Sequence, residues 1–237
     1  HPYIGADEFI KGKKRWCLWL KHASPKDIIN SKILSEKVEA VRQFRLSSKA
    51  KTTNGYAKVP QLFAQITQPD DVDFLIIPSV SSERRRYVPI GFATSNIISS
   101  NAVQIVPGAT LYHFGILTSN IHMAWMRAVC GRLKSDYRYS KEIVYNTFPW
   151  PNPTDAQKTK IEQTAQAILD ARAQYPDCSF ADMYGEKMYL FPELLKAHQD
   201  NDRAVMQAYG FSIKDMTESS CVAELMKMYQ NLTKEVE

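Results

Sequence analysis

Ser81-Ser82-Glu83-Arg84-Arg85-Arg86-Tyr87 sets one glutamate and three successive arginines between two strand-like runs. A guanidinium can bond guanine O6 and N7 together, and a carboxylate can accept from cytosine N4. In an extended chain Glu83 and Arg85 point to one face, Arg84 and Arg86 to the other. An acidic and a basic residue two apart could therefore read one base pair, while their neighbours meet phosphate or protein. The same spacing fits an edge strand kept from pairing by its charge. Both readings stay open on spacing alone.

A second group joins Arg127, Arg132, Lys134, Arg138 and Lys141 to Tyr137 and Tyr139, following a helix. It could clamp a nucleic-acid backbone, or form a solvated helix end whose cations offset the terminal carbonyls. A third, Lys11, Lys13, Lys14 and Arg15 ahead of Trp16, fits phosphate contact or a charged loop equally well.

Reaction chemistry is harder to place. The chain has no G-x-G-x-x-G, no G-x-x-x-x-G-K-[ST], no G-x-S-x-G and no H-E-x-x-H, so dinucleotide, P-loop, hydrolase-elbow and zincin sites are unsupported. Pro69-Asp70-Asp71 could open a metal-dependent nuclease motif, but no Glu-x-Lys follows to complete it. The Asn/Asp-Pro-Pro-Tyr/Phe loop of DNA amino-methyltransferases is missing too. No catalytic residue and no metal ligand is assigned. His122, on a helix near Trp125, is expected to pack there. Cys17, Cys130, Cys178 and Cys221 are scattered, which fits a reducing cytoplasm better than a disulfide or zinc framework.

The elements that must position these groups change character along the chain. Short β-rich runs recur at 16–20, 59–66, 74–77, 87–92, 103–106, 111–117 and 143–148, bounded by turn formers. Two helices interrupt them. Ser35 is the expected cap of one carrying Val38, Val41 and Phe44; Ser119 caps another carrying Met123, Trp125, Met126 and Val129. Both are expected to bury those residues against a sheet. Prolines 149, 151 and 153 then break the pattern. Thr154-Asp155-Ala156-Gln157 is a capping box opening a helix, Pro192 opens another that closes near Gly210, and Val222, Leu225, Met226 and Tyr229 mark a last one. The expected fold is α+β over residues 1–150, followed by a small all-helical bundle over 151–237.

Charge divides at the same place. Residues 1–150 hold 21 Lys+Arg against 11 Asp+Glu, a balance of +10; residues 151–237 hold 9 against 14, a balance of −5. A basic surface attracts phosphate backbones. No run approaches the roughly 20 apolar residues of a membrane span, and no signal peptide opens the chain. It starts on His1 rather than methionine, which suggests a piece of a longer polypeptide.

The segment from Ser81 to Phe92 resembles the recognition segment of the MmeI-like type II restriction–modification enzymes. The blocks His122–Ser140, Tyr145–Pro151, Ala181–Tyr184, Ala197–Val205 and Pro2–Ile10 resemble the same family, so the likeness spans nearly the whole chain. In that family one polypeptide carries a nuclease, an adenine-N6 methyltransferase using S-adenosylmethionine, a target recognition domain and a C-terminal helical unit. This chain resembles the last two only. The resemblance implies duplex DNA as partner, together with the methyltransferase domain of the parent chain, and places S-adenosylmethionine in that domain. It also implies that Glu83 and Arg85 help set one base pair. Ser81, Ser82, Arg84, Arg86, Arg132, Lys134, Ser135, Tyr137 and Arg138 are the expected backbone contacts. The alternative is a protein-interaction module whose acidic helical half docks other domains or subunits.

Overall fold

The computed structural model describes residues 1–234. Strand β1 (Tyr3–Ile4) leads into helix α1 (Ala6–Lys11), which stops at Gly12, a glycine at φ 66°. Helices α2 (Pro25–Asn30), α3 (Lys32–Leu46) and α4 (Lys51–Gly55) follow. Next come β2 (Phe74–Pro78), β3 (Val80–Ser81), β4 (Gly91–Ala93), β5 (Ile98–Ser99) and β6 (Val103–Pro107), then α5 (Leu111–Leu117) and α6 (Asn120–Val129). Strands β7 (Gly131–Leu133) and β8 (Asp136–Arg138) form a hairpin. Beyond it lie α7 (Asp155–Ala173), α8 (Phe180–Met183), α9 (Pro192–Ala208) and α10 (Glu218–Lys234). The α+β portion followed by helices is the expected class.

Three small sheets organise the first portion: a parallel pair β1–β5, and two antiparallel sheets ordered β4-β2-β6 and β3-β8-β7. Strand β2 is buried on both faces. Leu75 and Ile77 join the main core, whereas Phe74 and Ile76 join a smaller cluster with Ala93 and Val103. That two-sided burial explains why its sequence is continuously apolar instead of alternating. The main core runs without interruption past the proline break: Trp125 and Phe148 belong to it, as do Ile161, Ile168, Leu194, Val205 and Leu225.

Several local expectations are corrected. Residues 111–117 are helical, because Thr110 and His113 form a capping box that starts α5. Residues 143–148 lie in a π-helical turn, Lys141–Tyr145, begun by Ser140, whose hydroxyl accepts from the Ile143 N–H, and in the loop after it. Trp16 makes one isolated bridge, with Pro2, and 59–66 has no ladder partner among the described residues. Apolar residues there are spaced for a strand but meet no second strand. Ser31, not Ser35, caps α3; the Ser35 hydroxyl donates to the Ile28 carbonyl at 2.7 Å. Nor does α3 bury Val38, Val41 and Phe44 on a sheet. None of its residues is buried, and Phe44 is 72% exposed. Its neighbours are α2, α4 and the 3₁₀ turn Tyr56–Lys58, elements too short to enclose it. Ser119, Thr154 and Pro192 begin helices as expected.

Helices α5 and α7 approach closely at Gly115. A Cβ there would stand 2.6 Å from Ile161 Cγ2 and 3.2 Å from Ala165 Cβ, and the Gly115 carbonyl accepts from Asn201 Nδ2 at 2.8 Å. Gly115→Ala should therefore cost about 1–3 kcal/mol through overpacking, despite alanine's better helix propensity. Urea unfolding would measure it; an unchanged midpoint would show that the interface has slack. No helix among the described residues is long and apolar enough to cross a membrane.

Candidate nucleic-acid interface

The two basic groups read from the sequence meet in the sheet β3-β8-β7. Ser81 pairs with Tyr137 and Val80 with Arg138, so the chain entering the Glu83 turn runs beside the basic hairpin. Lys134 and Ser135 form the two-residue hairpin turn, with Lys134 at φ 57°. Lys134, Ser135 and Arg138 are exposed. The Arg132 guanidinium lies 4.0 Å from the Tyr137 ring centroid and donates to the Ser135 carbonyl at 2.9 Å, which stiffens the hairpin.

After Ser81 the backbone leaves the strand. Arg85 N–H bonds the Ser82 carbonyl at 3.1 Å, and Arg84 N–H bonds the Ser82 hydroxyl at 3.3 Å. Residues 82–86 are thus a turn, so the pleat does not decide which way Glu83 and Arg85 point. Glu83, Arg84 and Arg86 are exposed, and Arg85 is half-buried. Arg85 Nη1 lies 3.5 Å from the Ser81 hydroxyl, while Nε is buried without a partner among the described residues. Burial lowers the pKa of this guanidinium, and Asp136 pushes the other way. Arg84 pairs with Glu186 at 3.2 Å. These side chains rim a cleft of about 500 Å³ that also meets Arg127, Glu218 and Cys221. Ser81 and Tyr137 are only 3% and 8% exposed, leaving them little surface to offer a phosphate; they hold the turn in place.

The turn has firm footings, and the helices beyond residue 151 supply most of them. The Tyr87 ring stacks on His198 with centroids 4.2 Å apart, and its hydroxyl donates to Asp202 Oδ2 at 2.7 Å. Asp202 Oδ1 accepts from the Asn120 N–H at 2.8 Å. Burial pushes the Asp202 carboxyl up to about 6, against the pull of those two donors. Burial, reinforced by Asp202, raises the Tyr87 hydroxyl well above its ordinary value. Arg172 Nη1 donates to the Ile90 carbonyl at 2.7 Å, with its guanidinium packed over Phe114, Phe180 and Tyr184. Arg127 contacts the Arg86 carbonyl at 3.4 Å and forks onto Glu218 at 2.7 and 3.1 Å. The sequence groups contain Arg127 and Tyr87 but not Asp202, His198, Arg172 or Glu218. The only signal was that Asp202 and His198 fall in a family-like block; 115 residues separate Tyr87 from Asp202.

Other sequence candidates lie elsewhere. Tyr139 is interior, its hydroxyl 3.0 Å from His122 Nε2, and His122 packs edge-on against Phe148 at 4.5 Å. Lys141 sits beside Glu142. Lys11 and Lys13 both pair with Asp7, and Arg15 with Glu8, so the cation run before Trp16 is largely neutralised.

A charged turn on a helical platform, beside a basic hairpin, defines a recognition module. The chain belongs to the MmeI family: residues 1–152 match its target recognition domain and residues 153–237 its C-terminal domain. It is 37% identical over 231 residues to DNA methyltransferase A of Bacillus subtilis (strain 168), covering 98% of this chain and 26% of that protein. It is 46% identical to the type IIL restriction-modification enzyme MmeI, solved in complex with DNA, with a TM-score of 0.94 over 98% of this chain and 31% of that one. The chain thus spans a quarter to a third of these relatives.

Proposed function

We propose that this chain docks duplex DNA and reads part of its sequence, positioning the catalytic part of a longer restriction–modification enzyme on an adenine. The observation that carries this reading is the charged turn 82–86, raised from a buried footing beside the hairpin. Glu83 and Arg85 read one base pair, while Ser82, Arg84, Arg86, Arg132, Lys134, Ser135 and Arg138 contact the backbone around it. Ser81 and Tyr137 position them. Phosphate contacts fix register and base contacts specify. Residues 1–150 form the recognition unit, and residues 151–237 the helical unit that supports it.

The parent is a site-specific adenine-N6 methyltransferase working in the cytoplasm. It flips its target base in a methyltransferase domain that lies against this module. Its methyl donor, S-adenosylmethionine, bears a sulfonium cation. The cleft at the recognition turn is rimmed by Arg84, Arg85, Arg86 and Arg127, a poor host for a cation, and the donor belongs to the methyltransferase domain.

Exchanging donor and acceptor tests the readout. Glu83→Lys combined with Arg85→Asp should change which base pair is accepted at one position, with a swing of about 1–3 kcal/mol per bidentate contact. Binding selection from a randomised duplex pool reads it. An unaltered preference, or loss of binding to every sequence, removes Glu83 and Arg85 from base readout.

A further inference from the structure

The positive charge of the first portion is concentrated away from the recognition turn. Residues 25–58 contain eight Lys+Arg and three Asp+Glu, a balance of +5. That is half the surplus of residues 1–150, and the earlier cations Lys11, Lys13, Arg15 and Lys21 are paired with Asp7, Glu8 and Asp70. Structurally the 25–58 stretch is α2, α3, α4 and the 3₁₀ turn Tyr56–Lys58, with α3 packed on each of the others. Arg45 fastens it, donating to the carbonyls of Tyr56, Val59 and Leu62 at 2.7–3.0 Å. Arg42 pairs with Glu39, and Lys32 stands 3.9 Å from Glu36. Lys14, Lys26, Lys37, Lys49, Lys51 and Lys58 are all exposed, and none has an acidic partner within 4.0 Å among the described residues. Ile33, Lys37, Ala40 and Phe44 recur at helical spacing along α3 and are all exposed, Ile33 at 69% and Phe44 at 72%.

We infer that residues 25–58 form a second docking surface, for the phosphate backbone of duplex DNA, separate from the turn that reads bases. Lys26, Lys37, Lys49, Lys51 and Lys58, five cations without acid partners among the described residues on and between these helices, complement a duplex, which carries one negative charge per roughly 1.7 Å of its axis. Helix α3, fifteen residues long, extends about 22 Å at the usual rise and so lies along many such charges. Ile33 and Phe44 flank Lys37 and supply apolar surface for the sugars between phosphates. Because the lysines contact no base, this surface adds affinity and leaves sequence preference to the turn. The inference rests on the reading of this chain as a DNA-docking module and names a part of its footprint that the turn and hairpin do not include.

The test is fluorescence anisotropy of the intact chain with a labelled random-sequence duplex across a salt series. The variant replaces Lys26, Lys37, Lys49 and Lys51 together by glutamine. All four are exposed, so circular dichroism and melting should match the parent protein. A control replaces Lys160, Lys187 and Lys214 on the helical portion in the same way. The lysine variant should show a salt slope shallower by about 0.9 for each phosphate that is no longer neutralised, with affinity near 0.1 M salt falling roughly tenfold per phosphate. Arginine at the four positions should restore both. The control should change neither, and the base preference of molecules still bound should be retained. Equal slopes for variant and parent overturn the proposal and assign the basic stretch to an acidic protein surface. Equal losses in the control overturn it as well, as does an unaltered chain that fails to bind at about 50 mM salt, where phosphate attraction is strong. If the slope falls as expected but the Glu83/Arg85 exchange leaves base preference untouched, the second surface stands and the assigned readout fails.

Discussion

Tyr87→Ala is expected to lower the unfolding free energy by about 3–5 kcal/mol, the usual cost of emptying a large aromatic site. The residue is fully buried, stacked on His198 and bonded to Asp202. It immediately follows the turn that carries Glu83 and Arg85, so its loss also frees that turn. DNA binding, if retained, should then keep its salt dependence and lose discrimination between cognate and altered duplexes. Tyr87→Phe isolates the hydrogen bond. It keeps the ring but leaves Asp202 with one donor, the Asn120 N–H, at a cost of about 1.5–3 kcal/mol for a bond to a charged group. Chemical denaturation gives the stabilities and competition binding the discrimination. If Tyr87→Ala proves as stable as the parent protein, the footing on His198 and Asp202 is not what holds the turn.

Acid unfolding gives the second large effect. His122 and His198 are wholly buried. Burial lowers the His122 pKa to about 3, and burial with Arg172 and Arg86 holds His198 well below its ordinary value. Both stay neutral in the fold, so the unfolded chain takes up two protons below pH 6.5 that the folded chain refuses. The stability they contribute is whole above 6.5 and is lost as pH falls toward their folded values. Asp202 acts in the opposite sense. Its folded value near 6 lies above the ordinary 3.8, so its contribution is whole below 3.8 and lost as pH rises through 6. Between about pH 4 and 6 these three groups together leave the unfolded state with roughly one proton more, and their share of the stability should fall by about 1.4 kcal/mol per pH unit on acidification. Asp202→Asn removes the opposing group and should roughly double that slope, to about 2.7 kcal/mol per unit. Urea unfolding of both proteins across this window reads the comparison. Parallel pH profiles would show that Asp202 does not carry the proton assigned to it.

Asp202 also shows why the site was only half legible in the sequence. Local chemistry was readable wherever neighbours in the chain decide the outcome. Ser119 and Thr154 begin helices because their hydroxyls accept from an N–H three residues on, and a hydroxyl, an extended backbone and a helix former are all visible in four residues. The charged run 83–86 was visible in the same way. Its geometry was not, since a turn or a strand at that point depends on whether a partner strand continues beside it, and β8 supplies a partner only as far as Ser81. Residues 111–117, expected as a strand, carry a local signal for helix: the Thr110–His113 capping box starts one there, and that helix packs on α7 and α9.

By itself the sequence determined the class of fold, the helix starts, the proline break, the division of charge and the family resemblance, because each rests on residue type and short-range spacing. Tertiary structure alone decided that the basic hairpin lies beside the Glu83 turn and that helices far along the chain clamp Tyr87, Ile90 and Arg86. It also decided that the cations before Trp16 are largely neutralised, while most of those on α2 to α4 have no acid partner among the described residues. Those outcomes depend on contacts across up to 115 residues, and burial, pairing and pKa at each site follow from which distant surface arrives there, which no local pattern encodes.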